Sequence, residues 1–106
     1  MKMNINMKKI VFFLLVQFVA FGAFAQEATI KEAEAAYTKE DYGKAIELYE
    51  GLLKSNGESA EIYYNLGNAY YKENKIAPAI LNYERALLLD PGDGDIRFNL
   101  QLARQK

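Results

Sequence analysis

A repeat of 34 residues constrains this sequence more than any other feature. When the chain is shifted by 34 positions against itself, residues 35–53 align with residues 69–87. The identical pairs are Ala35/Ala69, Tyr37/Tyr71, Ala45/Ala79, Ile46/Ile80, Tyr49/Tyr83, Glu50/Glu84 and Leu53/Leu87. The pairs between 45 and 53 keep helical spacing, and a period of this length is typical of helix–turn–helix units that stack on their neighbours.

The second copy predicts a helix that another helix approaches closely. Four residues recur at i, i+3, i+4 and i+7 and so share one helical face: Tyr63, Leu66, Gly67 and Tyr70. Ser59 is a suitable N-cap because its hydroxyl can accept a free backbone N–H. Gly67 costs about 1 kcal/mol relative to alanine inside a helix. We therefore expect a neighbouring helix to need the space that the missing side chain leaves.

The partner helix of the second copy is expected to begin near 75–76. Pro78 then lies in its first turn, where backbone N–H groups have no intrahelical acceptor and proline is tolerated. We expect Ala79 to face Gly67 across the two helices. Asp90–Pro91 should end this helix, because proline disfavours a helical residue before it.

The spacing of these residues is similar to that of a known repeat. The pattern Tyr63-x-x-Leu66-Gly67-x-x-Tyr70, Ala79-x-x-x-Tyr83-x-x-Ala86, Pro91 resembles the tetratricopeptide repeat. This resemblance implies an all-α, right-handed solenoid of antiparallel helix hairpins. The expected order is a signal peptide (1–25), a first repeat with a divergent first helix (26–59), a second repeat (60–93), and a closing helix or the start of a third repeat (94–106).

Residues 28–104 also resemble one subset of this family. Two segments carry this resemblance: "AAYTKEDYGKAIELYEGLL" and "AEIYYNLGNAYYKENKIAPAILNYERALLLDP". They are similar in sequence to the exported tetratricopeptide protein of the Bat (aerotolerance) operons of Bacteroidetes. The resemblance implies an envelope scaffold linked to oxidative-stress tolerance. Members of that subset continue into a membrane segment and often an SH3-like module, so we expect this sequence to be a fragment of a longer protein.

The N-terminal segment predicts export. A basic head with Lys2, Lys8 and Lys9 precedes an apolar run over 10–24, and alanines stand at the −3 and −1 positions of a cleavage site after Ala25. We expect the protein in the periplasm or on the periplasmic side of the cell envelope. An uncleaved anchor is the alternative, although a bilayer core takes about 20 apolar residues. The membrane would then be contacted only through this segment.

Composition narrows the function classes. The chain has no cysteine and no histidine, which removes thiol nucleophiles, imidazole bases and the usual zinc ligands. Residues 26–106 carry ten basic and fourteen acidic side chains, a net charge of −4 that disfavours nucleic acid as a partner. The paired acids Glu32/Glu34 point to different sides of a helix, and Asp93/Asp95 lie at a helix start. We therefore predict no enzyme, no cofactor and no metal site.

The first helices of stacked hairpins line a concave face, and a protein or peptide partner is expected there. The predicted contact residues are Lys31, Glu34, Tyr37, Tyr64, Asn65, Asn68, Tyr71, Lys72 and Asn99. Asparagine amides both donate and accept hydrogen bonds, which suits an extended backbone, and tyrosines supply an apolar floor with polar tips. Lys31, Asn65, Asn68 and Lys72 match only in part the basic residues that bind a C-terminal carboxylate in some tetratricopeptide domains.

Three alternatives stay open at this point. Tyr64 and Tyr71 can serve only to cover the next repeat, and Asn65 can bond within the stack. The whole segment can also be a spacer or oligomerisation unit of a larger envelope protein. In that case we expect pairing through Phe98 and Leu102, an apolar i, i+4 pair on the closing helix.

Overall fold

The computed structural model describes residues 30–106, and the predicted signal segment lies outside them. Five helices follow one another in this part: α1 (30–38), α2 (Tyr42–Asn56), α3 (Ala60–Lys72), α4 (Ile76–Leu89) and α5 (Gly94–Arg104). No strand occurs between residues 30 and 106, so the predicted all-α solenoid of helix hairpins is confirmed there. None of these helices is long and apolar enough to cross a membrane.

The two hairpin turns repeat the same backbone geometry 34 residues apart. Glu40 (φ 64°) and Asn74 (φ 61°) each take the left-handed conformation at the end of the first helix of a hairpin. The matching bonds run from Asp41 N–H to the Ala36 carbonyl (2.8 Å) and from Lys75 N–H to the Tyr70 carbonyl (2.9 Å). This six-to-one bond with a left-handed residue is the Schellman motif, which satisfies carbonyls at a helix end. The sequence period is thus also a period of the backbone.

The boundaries of the second hairpin agree with the sequence. The Ser59 hydroxyl accepts a hydrogen bond from Ile62 N–H at 3.3 Å and caps α3, as predicted. α4 begins at Ile76, which places Pro78 in the first turn, and Asp90 ends the helix before Pro91.

The core is a continuous column of side chains between the helices. One buried cluster joins α1, α2 and α3: Ala33, Ala36, Ala45, Ile46, Tyr49, Leu52, Leu66 and Ala69. A second joins α3, α4 and α5: Tyr63, Ala79, Tyr83, Ala86, Ile96, Leu100 and Ala103. Leu53 and Tyr70 pack against both clusters. The apolar face of α5 therefore packs on α4.

Gly67 allows a close approach, but the nearest side chain is not the predicted one. A Cβ atom at Gly67 would lie 2.7 Å from two ring carbons of Tyr83, and the three nearest atoms all belong to that ring. Ala79 is fully buried in the cluster that joins α3 and α4, and its expected position opposite Gly67 stays a prediction. The residue that needs the space is Tyr83, which lies one turn beyond Ala79 and whose buried ring reaches across to the α3 backbone.

At matched repeat positions, α5 resembles α3 on one helical face and differs from it on another. At matched repeat positions, Leu66 and Ala69 correspond to Leu100 and Ala103, all buried. The positions through which α3 meets α4 (Tyr63, Gly67 and Tyr70) correspond on α5 to Arg97, Gln101 and Arg104. Arg104 uses its guanidinium to bind the Glu84 carboxylate on α4 at 2.7 Å. The side of α5 that matches the α4-facing side of α3 is thus polar, whereas that side of α3 is aromatic and small.

Candidate partner-binding groove

A groove runs along the side of the stack formed by α1, α3 and α5. One part encloses about 350 Å³ and is lined by Tyr37, Tyr64, Asn68, Tyr71, Lys72, Tyr83, Asn99 and Leu102. The adjoining part encloses about 340 Å³ and is lined by Glu34, Tyr37, Thr38, Tyr49, Glu61, Asn65 and Asn68. Because Tyr37 and Asn68 line both parts, we treat them as one surface, called the groove below.

A hydrogen-bonded network fixes the floor of the groove. The Asn68 side-chain oxygen accepts from the Tyr83 hydroxyl at 2.6 Å and from the Asn99 amide nitrogen at 2.9 Å. The same Asn99 nitrogen donates to the Tyr64 hydroxyl at 3.1 Å. The network joins α3, α4 and α5, so it holds the floor in one arrangement.

Burial raises the pKa of Tyr83 well above its ordinary value, with the neighbouring Tyr64, Tyr37 and Tyr71 acting in the same direction. Burial likewise raises the pKa of Tyr37. Both hydroxyls are therefore neutral at physiological pH, and the Tyr83 hydroxyl is a hydrogen-bond donor to Asn68 rather than a phenolate.

Aromatic rings give the groove apolar area beside these polar atoms. The rings of Tyr64 and Tyr83 lie 6.1 Å apart between centroids, and those of Tyr37 and Tyr42 lie 5.3 Å apart edge to face. The Lys106 ammonium lies 5.6 Å from the centre of the Tyr71 ring. Such distances are typical of favourable aromatic and cation–π contacts.

Eight of the nine residues predicted for the concave face line the groove, and Lys31 does not. Lys31 is exposed on α1 and borders neither part. The set Lys31, Asn65, Asn68 and Lys72 is therefore not gathered around one point, so the partial match to a carboxylate site gains no support. Whether a partner contacts the other eight residues stays a prediction.

The asparagine side chains that form hydrogen bonds inside the stack are not the ones that the sequence suggested. The Asn99 amide nitrogen already donates twice inside the stack. Asn65 is half-buried and makes no side-chain hydrogen bond within residues 30–106. Internal bonding, which the sequence left open for Asn65, is therefore found for Asn99 instead.

The groove is also lined by five residues outside the predicted nine: Thr38, Tyr49, Glu61, Tyr83 and Leu102. Tyr83 belongs to the repeat pattern, and its buried side chain also borders the groove. A tyrosine rather than a phenylalanine at a core position was the available signal, since a buried hydroxyl needs a partner. Leu102 was assigned to an oligomerisation surface, but it lines the groove and is 39% exposed.

The part of the chain that the structure describes offers no group of three acidic, histidine or cysteine side chains that could hold a metal ion. The polar groups of the groove are amides, phenols, the Thr38 hydroxyl, one lysine and two carboxylates. These groups recognise other polar groups by hydrogen bonding and charge.

Comparisons with known proteins agree with this architecture. A family model described as "Tetratricopeptide repeat" matches residues 60–93, and one described as "TPR repeat" matches 33–74. The peroxisomal targeting signal receptor of Saccharomyces cerevisiae is 34% identical over 67 residues, which are 63% of this chain and 11% of that protein. Tetratricopeptide repeat protein 21B of Xenopus laevis is 28% identical over 76 residues, 66% of this chain and 6% of that protein. The chain thus spans about a tenth or less of the length of these relatives.

The helix hairpins, the 34-residue backbone period and the two family matches lead to the same assignment. Tetratricopeptide repeats are generally scaffolds for protein–protein interaction and not enzymes. Residues 33–93 of this chain are tetratricopeptide repeats.

Proposed function

We propose that this chain is an exported scaffold that holds a protein partner in the groove. The observation that carries the proposal is the groove itself. It combines tyrosine rings with amide groups on a floor that internal hydrogen bonds keep in place. A preorganised surface loses little conformational entropy on binding, which favours affinity.

The chemistry of the lining favours a polypeptide over a small apolar molecule. Tyrosine is enriched at protein interfaces because its ring offers area and its hydroxyl a hydrogen bond. Asn65 adds an amide whose donor and acceptor are not used within residues 30–106. An amide pairs with the N–H and C=O of a peptide backbone.

Paired variants test the site. Asn65→Ala and Tyr71→Ala each remove groove contacts from half-buried positions, so the helices should remain intact. We expect the double variant to keep its helical circular dichroism signal and to lose a partner that the tagged wild type captures from an envelope extract of its own source.

A matched control distinguishes the groove from the rest of the surface. Glu47→Ala with Lys54→Ala changes two exposed positions on α2, which do not line the groove. This control should capture the same partner as the wild type. Capture by the Asn65/Tyr71 variant at wild-type level would show that the groove is not the binding site.

Export is part of the proposal and is supported by the sequence of 1–25. The expected product begins at Gln26. Mass determination of the protein recovered from the envelope fraction tests this, and a recovered chain that still carries Met1 would contradict cleavage.

The link to aerotolerance is supported by resemblance to the Bat-operon proteins. It predicts that a strain lacking this protein grows normally without oxygen and poorly after exposure to it.

An oligomerisation segment is the second candidate function. Phe98 is 61% exposed and Leu102 39% exposed, which are large values for apolar side chains on one helix. Pairing through them would cover apolar surface. Light scattering decides between monomer and oligomer, and Phe98→Ser should dissociate any oligomer that uses this helix. A monomer at high concentration would contradict this candidate.

A further inference from the structure

The two long edges of the groove carry opposite charges. On α3, Glu61 lies in the first turn and Lys72 in the last. On α5, Asp95 lies in the first turn, and Lys106 follows the helix with its ammonium over the Tyr71 ring. Glu61 and Asp95 are 34 positions apart, and so are Lys72 and Lys106. The repeat thus places acids along one edge and lysines along the other.

Helix ends alone would favour this distribution, because acids near an N-terminus and cations near a C-terminus complement the helix dipole. Two of these charges line the groove: Glu61 lines the part that contains Asn65, and Lys72 lines the part that contains Tyr71. Lys106 adjoins the groove through the Tyr71 ring, and Asp95 is assigned to the acidic edge by its matched repeat position. The ion pairs within residues 30–106 are Lys75–Glu73 and Arg104–Glu84, so the four edge residues form no ion pair in this part of the chain.

The distance between the edges limits what can contact both. Glu61 and Lys72 are eleven residues apart on α3, which corresponds to roughly 16 Å at about 1.5 Å per residue. One side chain cannot reach both edges. An extended chain lying between them can, because its successive side chains point to opposite sides. Its backbone would then lie over the amides and hydroxyls of the floor.

We propose that the occupant of the groove is an extended segment in which acidic and basic side chains alternate. The acidic side chains face Lys72 and Lys106, and the basic side chains face Glu61 and Asp95. This inference rests on the groove being the partner site and adds the chemistry of the partner. The charged edges recognise a segment with alternating acidic and basic side chains, and the polar groups of the floor bind its backbone.

Two synthetic peptides of equal composition test the alternation. The first is a fluorescently labelled octapeptide of alternating Glu and Lys, and the second has four Glu followed by four Lys. Binding to the full chain is measured by fluorescence anisotropy at low ionic strength. We expect the alternating peptide to bind at least tenfold more tightly. High salt should weaken this binding, because exposed charges are screened. Equal affinity of the two peptides would overturn the proposal.

Charge reversal tests which edges are used. Lys72→Glu with Lys106→Glu makes both edges acidic and should weaken binding of the alternating peptide at least tenfold. Adding Glu61→Lys and Asp95→Lys reverses both edges, and binding should return because the peptide can shift by one residue. A fourfold variant that does not rebind the peptide would contradict the arrangement. Lys44→Glu with Lys54→Glu on α2 is the control of equal charge, and it should bind almost as the wild type does.

Folding of the variants is checked by circular dichroism. If the reversed pair loses helical signal, Lys72→Gln with Lys106→Gln decides instead, and a loss of less than threefold would overturn the proposal. The binding site and the charge pattern are tested separately. A partner that depends on Tyr71 and Asn65 but not on Lys72 and Lys106 would leave the groove as its site and refute the charge alternation.

Discussion

The first hairpin (α1–α2) and the second (α3–α4) share a backbone plan but differ in side-chain chemistry at matched positions. Both turns use a left-handed residue 34 positions apart, Glu40 and Asn74. The close helix contact has Ala33 in the first hairpin and Gly67 in the second. The plan of the repeat therefore does not require identical residues at these places.

The hairpins also differ in the hydrogen bonding of their buried tyrosine hydroxyls. The Tyr83 hydroxyl donates to Asn68 and so belongs to the groove network. Tyr49, at the matched position, is equally buried, but its hydroxyl makes no hydrogen bond within residues 30–106. The residue that matches Asn68 is Glu34. The comparison indicates that packing is common to both hairpins, whereas the fixed polar floor belongs to the second. Four measurements test this distinction.

The largest expected effect is that of Gly67→Ala. The new methyl group would lie 2.7 Å from ring carbons of the buried Tyr83, so the ring or the helix must shift. Overpacking costs about 1–3 kcal/mol, and the gain in helix propensity returns about 1 kcal/mol. We expect a net loss of up to about 2 kcal/mol in the free energy of unfolding, seen as a lower thermal midpoint.

Gly51→Ala is the matched control, because Gly51 is exposed in α2 and no atom lies within 4 Å of its added Cβ. This substitution should raise the free energy of unfolding by up to about 1 kcal/mol. If Gly67→Ala also stabilised the protein, the close contact would be no tighter in the second hairpin than in the first, which carries alanine there.

Tyr83→Phe tests the polar floor. It removes a hydrogen bond of 2.6 Å while Asn68 keeps the bond from Asn99. We expect a loss of about 1 kcal/mol, the usual net value of one hydrogen bond. Denaturant unfolding measures it. Tyr49→Phe should change stability by much less, and equal losses for the two variants would remove the distinction between the hairpins.

Glu40→Asn tests the turns. A non-glycine residue in the left-handed region is costly, and asparagine tolerates it better than glutamate. Making the first turn like the second should therefore raise the thermal midpoint by an amount equivalent to about 0.5 kcal/mol. The exchange Asn74→Glu should lower it by a similar amount. Two changes of the same sign would show that the turns are not equivalent.

The smallest effect concerns alkaline pH at the junctions between hairpins. Burial, followed by the hydrogen bond that its hydroxyl donates to Glu50, raises the pKa of Tyr70 to about 12. An unfolded tyrosine titrates near 10. The folded state thus holds the proton more tightly, and this contribution to stability is complete below about pH 10 and is lost as pH rises through about 12.

Tyr70→Phe should make the decline of stability between pH 10 and 12 shallower, as measured by denaturant unfolding at several pH values. At the next junction the matched pair is Glu84 with Arg104, and arginine stays charged throughout this range. Arg104→Met should therefore leave the slope with pH unchanged. An unchanged slope for Tyr70→Phe would contradict the raised pKa of Tyr70 in the folded protein.

The sequence predicted the features that local spacing determines. Single residues predicted the bounds of α3 and α4. Ser59 caps α3 through its hydroxyl, Pro78 is tolerated only in the first turn of α4, and Asp90 ends α4 before a proline. The groove lining followed from the repeat, because helical periodicity places Tyr64 and Tyr71 on a different face of α3 from the fully buried Leu66 and Ala69.

What the sequence could not give was the reach of individual side chains across helices. The period placed Ala79 beside Gly67, but the position of the Tyr83 ring depends on its rotamer and on the distance between α3 and α4. The Asn68–Asn99 bond likewise joins residues 31 positions apart, and amides at matched spacing do not reveal which atoms meet. Lys31 follows the same spacing and still does not line the groove.

Gln101, at the position that matches Gly67, bears on what can pack against α5. A helix laid against α5 as α4 lies against α3 would bring a residue such as Tyr83 against the Gln101 side chain, where α3 leaves room because Gly67 has none. It would also cover Arg97, which takes the place of Tyr63, and removing a charge from water is costly unless the charge is paired. Any unit stacked on α5 must therefore stand further from it than α4 stands from α3, or supply a partner for Arg97.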